Sequence, residues 1–344
     1  MNMRLILVLS LAVNLGERAW AQAPAKGPAA AVDALVKQLR LNPAKRSENA
    51  GSMGIHLIDA MGGDATLIAG EPDPGLIYCD WPTWSPDGKM IAYSARPGKN
   101  NIAGVRVKVV SLDQGRLERR DLGPGGWPSF SPASDQILAA FFSAAQADRG
   151  VQPGLWLMGI DGSRISFIGG GVTSARWSPN REQFMTVQDP PTNVIIVNVR
   201  PEKSGVLVAQ GFSLLSPPTW AGEDLLVSAI TADDGEAIAL IDVANPGKAE
   251  VREILWRRTK GPDVSPTLPV YSPVTRRCVF VGLDQERIPI LYGFTHGGSD
   301  SPKPLEKTPP DKNVEDLSIS PDGRYVVFGG DRRTAKPAPA STAK

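Results

Sequence analysis

A repeated pattern constrains the fold of this chain more than any other feature of its sequence. Each copy holds a proline or small residue, a large hydrophobic residue, a polar turn that is usually Ser-Pro, and an alternating apolar stretch. The large hydrophobic residue marks each of the six copies: Trp84, Phe130, Trp177, Trp220, Tyr271 and Ile319. Successive copies are 46, 47, 43, 51 and 48 residues apart. A period of this length suits one four-stranded blade of a β-propeller per copy.

The Ser-Pro-Asp-Gly stretches at 85–88 and 320–323 predict a tight connection between two antiparallel strands. Proline fixes φ, aspartate bonds to its own backbone, and glycine accepts the positive φ. We therefore interpret Asp87 and Asp322 as turn residues, with calcium ligation as the alternative. The hydrophobic residue before each turn is predicted to pack between neighbouring blades.

A second, weaker hairpin pattern lies between these copies and supplies the outer half of each blade. Its strands alternate and its turns are rich in Gly, Asp or Asn. The six copies are Ile55 to Ile68, Val105 to Leu122, Gly154 to Ile168, Val194 to Val208, Ala237 to Ile254 and Ile288 to Leu305. The chain thus begins with an outer hairpin and ends with an inner one, and the two complete one blade. The predicted fold class is all-β, a six-bladed propeller of four-stranded antiparallel blades whose closing blade is shared by both ends of the chain.

The stretch from Thr83 to Ser94, Thr-Trp-Ser-Pro-Asp-Gly-Lys-Met-Ile-Ala-Tyr-Ser, resembles the propeller repeat of the TolB family. The resemblance covers roughly residues 51–330, which we assign to the propeller. TolB proteins carry a sizeable α/β domain before the propeller, whereas only residues 22–50 occupy that place here. We interpret this segment as an N-terminal extension with one short helix, from Ala30 to Leu41. The resemblance implies a protein-interaction scaffold of the cell envelope.

The first 21 residues have the pattern of a secretory signal peptide. Arg4 provides the positive charge, an apolar stretch runs from Leu5 to Val13, and Ala19-Trp20-Ala21 provides a cleavage site. No other run is apolar and long enough to cross a membrane. We therefore expect a periplasmic or secreted protein without a membrane span. Residues 331–344, rich in Pro, Ala and Lys, are predicted to be disordered.

Charge and cysteine content argue against several classes of partner and site. The chain has 37 basic and 36 acidic residues and a net charge of +1, without a polybasic block, so no nucleic-acid partner is expected. Two histidines and two cysteines at these spacings predict no zinc site, and no cofactor is expected. Cys79 and Cys278 fall on blades that are not neighbours. Because a disulfide needs Cα atoms within about 7 Å, two separate buried thiols are predicted.

The start of each innermost strand is predicted to lie at one mouth of the central channel. In the fourth and fifth copies these starts are Ser216-Pro217 and Pro266-Thr267. We expect the binding residues to be Asp80, Trp81, Trp127, Ser174, Glu315 and Asp316. Trp81 and Trp127 hold equivalent positions on adjacent blades, and an aromatic pair beside carboxylates suits a peptide or protein anchor. The alternative is that both tryptophans cap the core between blades.

The sequence shows no catalytic set, so we predict a binding protein, acting as a monomer on a protein or peptide partner. The stretch from His296 to Asp300 resembles a nucleophile signature, but it lacks the Gly-x-Ser-x-Gly pattern and is interpreted as a polar turn. The alternative is a carbohydrate lyase or hydrolase that uses Asp80, Glu315 and Asp316 at the channel.

Overall fold

A computed structural model describes most of the propeller and part of the segment before it. The described residues are 32–34, 36–37, 53–70, 76–112, 118–141, 152–170, 174–179, 183–188, 193–198, 205–259, 263–285, 287–299, 301–306 and 313–331. The predicted signal peptide at 1–21 lies outside them, as does the predicted tail except for Asp331, which ends the last strand. None of the helices in the described ranges is long and apolar enough to cross a membrane.

The described strands, numbered in chain order, form six sheets that are the blades of a ring. The chain enters with β1 (Gly54–Asp59) and β2 (Thr66–Ala69). Blade 1 contains β3 (Tyr78–Trp84), β4 (Met90–Arg96), β5 (Arg106–Ser111) and β6 (Glu118–Pro124). Blade 2 contains β7 (Gly126–Phe130), β8 (Gln136–Phe141), β9 (Gly154–Gly159) and β10 (Arg164–Gly169). Blade 3 contains β11 (Ala175–Trp177), β12 (Gln183–Gln188), β13 (Asn193–Asn198) and β14 (Gly205–Val206).

The remaining strands complete the ring and confirm the predicted all-β, six-bladed architecture. Blade 4 contains β15 (Phe212–Leu214), β16 (Thr219–Gly222), β17 (Leu225–Ala232) and β18 (Gly235–Asp242), then a short 3₁₀ turn (Pro246–Lys248) and β19 (Glu250–Arg257). Blade 5 contains β20 (Ser265–Ser272), β21 (Arg277–Leu283), β22 (Pro289–Thr295) and β23 (Lys303–Pro304). The last two strands are β24 (Asn313–Ile319) and β25 (Tyr325–Asp331).

Blade 6 is assembled from the two ends of the propeller, in the order β2-β1-β25-β24. The ladder between β1 and β25 is antiparallel and continuous, from the pair Gly54 and Gly330 to the pair Asp59 and Tyr325. The inner strands of this blade therefore come from the end of the chain and its outer strands from the beginning. This confirms the closure predicted from the order of the hairpins.

The innermost strand of blade 4 differs from the others because it is split into two segments. Both β15 and β16 pair with β17, at its two ends. Ser216, Pro217 and Pro218 lie between the segments. A proline has no N–H to donate to a ladder, so two consecutive prolines interrupt the pairing. The sequence pattern located β16 through Trp220 but gave no sign of β15.

The two Ser-Pro-Asp-Gly turns have the same set of hydrogen bonds. In the first, the Ser85 hydroxyl donates to Asp87 Oδ1 at 2.6 Å, and the backbone N–H groups of Lys89 and Met90 donate to Asp87 and Ser85. The second repeats each bond, with the Ser320 hydroxyl donating to Asp322 at 2.6 Å. These bonds confirm that both aspartates are turn residues.

One hydrophobic cluster lies at each of the six contacts between neighbouring blades. Trp84 packs where blade 6 meets blade 1, and Phe130 packs where blade 1 meets blade 2. Both side chains are buried, as predicted for the repeat residue before the turn. The clusters also fix the order of the blades around the ring, which places blade 3 opposite blade 6. Cys79 and Cys278 are buried and free in different clusters, as predicted.

Residues 32–34 and 36–37 are helical and lie against the contact between blades 6 and 1. Val32 and Val36 are buried in the cluster that contains Trp84. The Asp33 carboxylate accepts two hydrogen bonds of 3.1 Å from Arg324 and one from the Tyr325 hydroxyl. The segment before the ring is therefore fastened to the closing blade.

The turn that contains Gly323 allows the contact between blades 6 and 5 to be tested. Its φ is +72°, and a Cβ there would lie 2.4 Å from oxygen atoms of Ser272 and Thr275 on blade 5. Gly211 has a similar φ of +75°, but a Cβ there meets nothing within 4 Å. We expect Gly211→Ala to lower the free energy of unfolding by about 1 kcal/mol through backbone strain. Gly323→Ala should lower it by about 2 to 4 kcal/mol, because a steric clash adds to the strain.

Urea unfolding of the two variants beside the unchanged protein measures both effects. Equal losses in the two variants would show that blade 5 adapts to the extra methyl group without cost. A larger loss in Gly211→Ala would contradict the packing described for this turn.

Candidate functional site

The central channel of the ring holds a cavity of about 220 Å³. Side chains of all six innermost strands or the residues just before them line it, including Trp81, Trp127, Arg176, Thr219, Val270 and Ser318. The antiparallel ladders place the starts of β3, β7, β20 and β24 at one end of the ring, which we call the channel mouth. Three of the six predicted binding residues line the cavity: Trp81, Trp127 and, just before β11, Ser174.

A shared irregularity of the backbone shapes the channel mouth. The pairing register shifts near the start of the innermost strand in blades 1, 2, 5 and 6. At each shift one residue has a positive φ: Trp81 (+53°), Trp127 (+51°), Leu268 (+48°) and Asp316 (+49°). Each is a non-glycine residue in the left-handed region, which costs on the order of 1–2 kcal/mol. Such outliers persist where the surrounding structure enforces them, and they concentrate at functional sites.

In blade 5 the residue at the bulge lies one position later in the chain than the sequence pattern predicts. The sequence pattern placed Pro266 and Thr267 at the mouth, whereas the residue equivalent to Trp81 is Leu268. Both the Leu268 and the Trp127 backbone N–H groups donate to a serine hydroxyl of the preceding blade, Ser216 at 3.1 Å and Ser94 at 2.8 Å. A serine of the neighbouring blade thus satisfies an N–H group that the bulge takes out of the ladder.

Trp81 and Trp127 form an edge-to-face pair across the contact between blades 1 and 2. Their ring centroids are 5.7 Å apart and the rings are inclined at 88°. Both side chains are partly exposed. They therefore contact each other at the mouth while keeping surface that a ligand can cover.

The predicted carboxylates lie where blade 6 meets blade 1, and each has a partner. The Tyr78 hydroxyl donates to Glu315 Oε1 at 2.9 Å, and Lys99 Nζ lies 3.5 Å from the same oxygen. Asp80 accepts a hydrogen bond from Arg96, whose guanidinium also lies 4.6 Å from the Tyr78 ring. None of these carboxylates is among the residues that line the cavity. Sequence reasoning missed Tyr78 and Arg96, which precede and follow the repeat without belonging to it.

Burial changes the acidity of two of these groups. It raises the pKa of Asp80 to about 8, outweighing the Arg96 guanidinium, which lowers it. Burial raises the pKa of Asp316 to about 6, with Arg176 opposing and the Glu315 carboxylate adding to the rise. Asp80 is 1% exposed, and its Oδ1 atom has no hydrogen-bond partner within the described part of the chain. A carboxyl group in this setting favours its neutral form more strongly than one in water.

Arg176 crosses the channel. It lies on β11 in blade 3, yet its Nη2 is 3.5 Å from Asp316 Oδ1 on the opposite blade. Its guanidinium also lies over the Trp81 ring, 5.5 Å from the centroid. Arg176 is not among the residues predicted from the sequence, because no repeat position predicts that a side chain reaches the far side of a ring.

Other candidate features fall outside the channel. His296 lies in the turn after β22, as predicted, and its Nε2 is 2.6 Å from Glu253 Oε1. Within the ranges that the structure describes, no group of three or more His, Cys, Asp or Glu residues could hold a metal ion. The connection between β8 and β9 falls largely on residues 142–151, outside the described residues.

The fold is similar to that of solved TolB structures. A protein assigned to TolB from Agrobacterium tumefaciens superposes with a TM-score of 0.56 at 14% identity, covering 83% of this chain and 100% of that one. TolB from Acinetobacter baumannii gives 0.46 at 17% identity, covering 88% and 69%. An acylaminoacyl peptidase from Pyrococcus horikoshii gives 0.43 at 14% identity, covering 75% and 46%. No family model and no curated protein sequence matches the chain. The similarity to the Agrobacterium tumefaciens protein supports a TolB-like propeller fold.

The raised pKa of Asp316 predicts how stability depends on pH. The pKa of an aspartate in an unfolded chain is about 3.9. Between that pH and about 6 the unfolded state releases its proton first, so the folded state of the unchanged protein loses stability as the pH rises. Asp316→Asn cannot titrate, so the stability of the unchanged protein relative to this variant should fall by on the order of 2 kcal/mol over this range.

Urea unfolding at a series of pH values between 4 and 7 measures this difference. Asp233→Asn removes an exposed carboxylate in the turn between β17 and β18 and serves as the matched control. Its stability should follow that of the unchanged protein at every pH. A constant difference between the unchanged protein and Asp316→Asn would contradict the environment assigned to Asp316.

Proposed function

Starting from a TolB-like six-bladed propeller, we propose that this protein is a scaffold that binds an extended segment of a partner protein at the channel mouth. The observation that carries the proposal is the pair Trp81 and Trp127, held partly exposed over the channel by two bulges with positive φ. Tryptophan is among the residues that contribute most to protein–protein binding, chiefly in central, well-packed positions.

Backbone strain at the two tryptophans supports a role beyond packing. Glycine would occupy a positive φ without the strain that an indole side chain adds there. The equivalent residues Leu268 and Asp316 show that the bulge does not require an aromatic side chain. The tryptophans are therefore best explained by what they contact at the mouth.

The size of the cavity favours a protein segment over a separate small molecule. Pockets for small ligands usually occupy about 300–1,000 Å³. The cavity here is about 220 Å³, and Trp81 and Trp127 of the mouth are among its lining residues. This space suits a side chain or chain end of a larger partner whose remaining surface rests on the rim.

The positions of the carboxylates favour binding over catalysis. Asp80 and Asp316 are 1% and 7% exposed, and each faces an arginine. Glu315 is engaged by Tyr78 and Lys99. A general acid or base must come within hydrogen-bond reach of its substrate, and groups held in this way support the mouth instead.

We place the scaffold in the cell envelope, as a periplasmic or secreted monomer. The pattern of residues 1–21 supports export, and the near-neutral charge of the chain gives no reason to expect nucleic acid as a partner.

Affinity capture tests the proposal. Immobilised protein incubated with an envelope extract of the producing cells should return a specific partner, and the double variant Trp81→Ala, Trp127→Ala should reduce its recovery at least tenfold. The matched control replaces two exposed apolar residues on the opposite end of the ring, Met61→Ala and Val274→Ala, which are 73% and 72% exposed. The control should recover the partner normally, with thermal unfolding confirming that both variants fold.

The outcome that counts against the proposal is recovery unchanged by loss of both tryptophans. Loss of the partner in the control variant as well would place the contact outside the mouth.

A further inference from the structure

The guanidinium of Arg176 lies in the channel, and most of its hydrogen-bonding capacity is unused within the part of the chain that the structure describes. Its contacts within the described part of the chain are the Trp81 ring at 5.5 Å and Asp316 Oδ1 at 3.5 Å. Charged hydrogen bonds between nitrogen and a carboxylate are usually about 2.7–2.9 Å long. The contact with Asp316 is therefore an ion pair without a close hydrogen bond, and the five N–H donors of the guanidinium remain largely available.

Trp81 holds the guanidinium by electrostatic attraction to its ring rather than by hydrogen bonds. A contact between a guanidinium and an indole ring leaves the N–H groups free to bond elsewhere. The Trp81 backbone is fixed by the bulge, so the arginine is oriented before a ligand arrives. Such preorganisation reduces the entropy lost on binding.

The lining of the cavity suits a negative group. Arg176 is the one charged residue among those described as lining it, beside aromatic, proline, aliphatic and hydroxyl side chains. Two of the hydroxyls, Ser129 and Ser318, accept hydrogen bonds from the backbone N–H groups of Trp177 at 2.9 Å and Trp84 at 3.1 Å. Among the described residues, neither hydroxyl donates its own O–H to another group, so both O–H groups are available to a ligand. The cavity is therefore lined by a positively charged guanidinium and by two further hydrogen-bond donors.

We propose that Arg176 binds a carboxylate group of the partner's peptide segment, which replaces Asp316 as the partner of the guanidinium. A carboxylate matches the planar fork of arginine and can form two parallel hydrogen bonds with it. The stem of the acidic side chain, or of the chain end, then lies along Trp81 and Trp127. This inference rests on the proposed function and adds the chemical class of the group that enters the channel.

Three acetylated peptides test the inference without knowledge of the natural partner. The reference is acetyl-Ala-Ala-Gln-Ala-amide, which carries no charge. Acetyl-Ala-Ala-Glu-Ala-amide adds an acidic side chain, and acetyl-Ala-Ala-Gln-Ala with a free carboxyl end adds a charged chain terminus, so the two separate these sources of a carboxylate. Acetate serves as a free anion. Binding is followed by the indole N–H resonances of Trp81 and Trp127 at constant ionic strength.

We expect at least one carboxylate peptide to bind about tenfold more tightly than its neutral counterpart, and more tightly than acetate. Arg176→Met should abolish this preference, and Arg176→Lys should keep only part of it, because an ammonium lacks the planar fork. Asp316→Asn should strengthen binding of the same peptide, because it removes the competing carboxylate. A purely structural role of the pair would weaken binding in both the arginine and the asparagine variants.

Equal binding of the charged and neutral peptides, or a preference that survives in Arg176→Met, would overturn the inference. The inference would also be overturned if no peptide bound, or if acetate bound as tightly as the carboxylate peptides. Affinity capture separates this failure from failure of the proposed function. A partner that depends on Trp81 and Trp127 but is retained by Arg176→Met leaves the scaffold in place and removes only the carboxylate contact.

Discussion

The antiparallel ladder between β1 and β25 is the interaction on which the rest of the structure depends. It joins the two ends of the propeller and pairs the edges that β1 and β25 would otherwise leave open. It also brings blade 6 against blade 1, which is where Tyr78 meets Glu315 and where Asp80 and Asp316 lie close enough to influence each other. The electrostatics of the channel mouth are thus a consequence of ring closure.

The inner-strand bulge uses one backbone feature to present different side chains around the channel. The positions with positive φ carry two tryptophans, a leucine and an aspartate, while the same shift in pairing register recurs in all four strands. Opposite the aspartate, Arg176 extends across the axis from a blade without this bulge in its described residues. Binding chemistry can therefore vary by substitution at fixed positions without altering the blades, which agrees with the general separation of site from fold.

Features that recur in every blade were predicted from the sequence, whereas features that occur in one blade were missed. Six hydrophobic residues at a regular period sufficed for the blade count, and hairpin order sufficed for the shared blade. The blade-5 equivalent of Trp81 was predicted at Thr267, one residue before Leu268, because a bulge adds a residue that the pattern does not mark. Ser216 was expected at the mouth, but its role as acceptor for the Leu268 N–H was not. Arg176 and Arg96 were not predicted, because a contact across the channel or between two particular blades does not recur with the repeat.

Closure by the chain ends also determines when the ring can be completed. His56 on β1 contacts Gly330 on β25, 274 residues away. The entropy of bringing such distant segments together must be overcome before their hydrogen bonds form, and topologies dominated by distant pairings fold slowly. Until the last strand is available, β1 has an unpaired edge, a known route to aggregation. The contact between blades 6 and 1 at the mouth therefore depends on the last part of the propeller to be synthesised. A chain cut short before β24 lacks both the closing strands and Asp316.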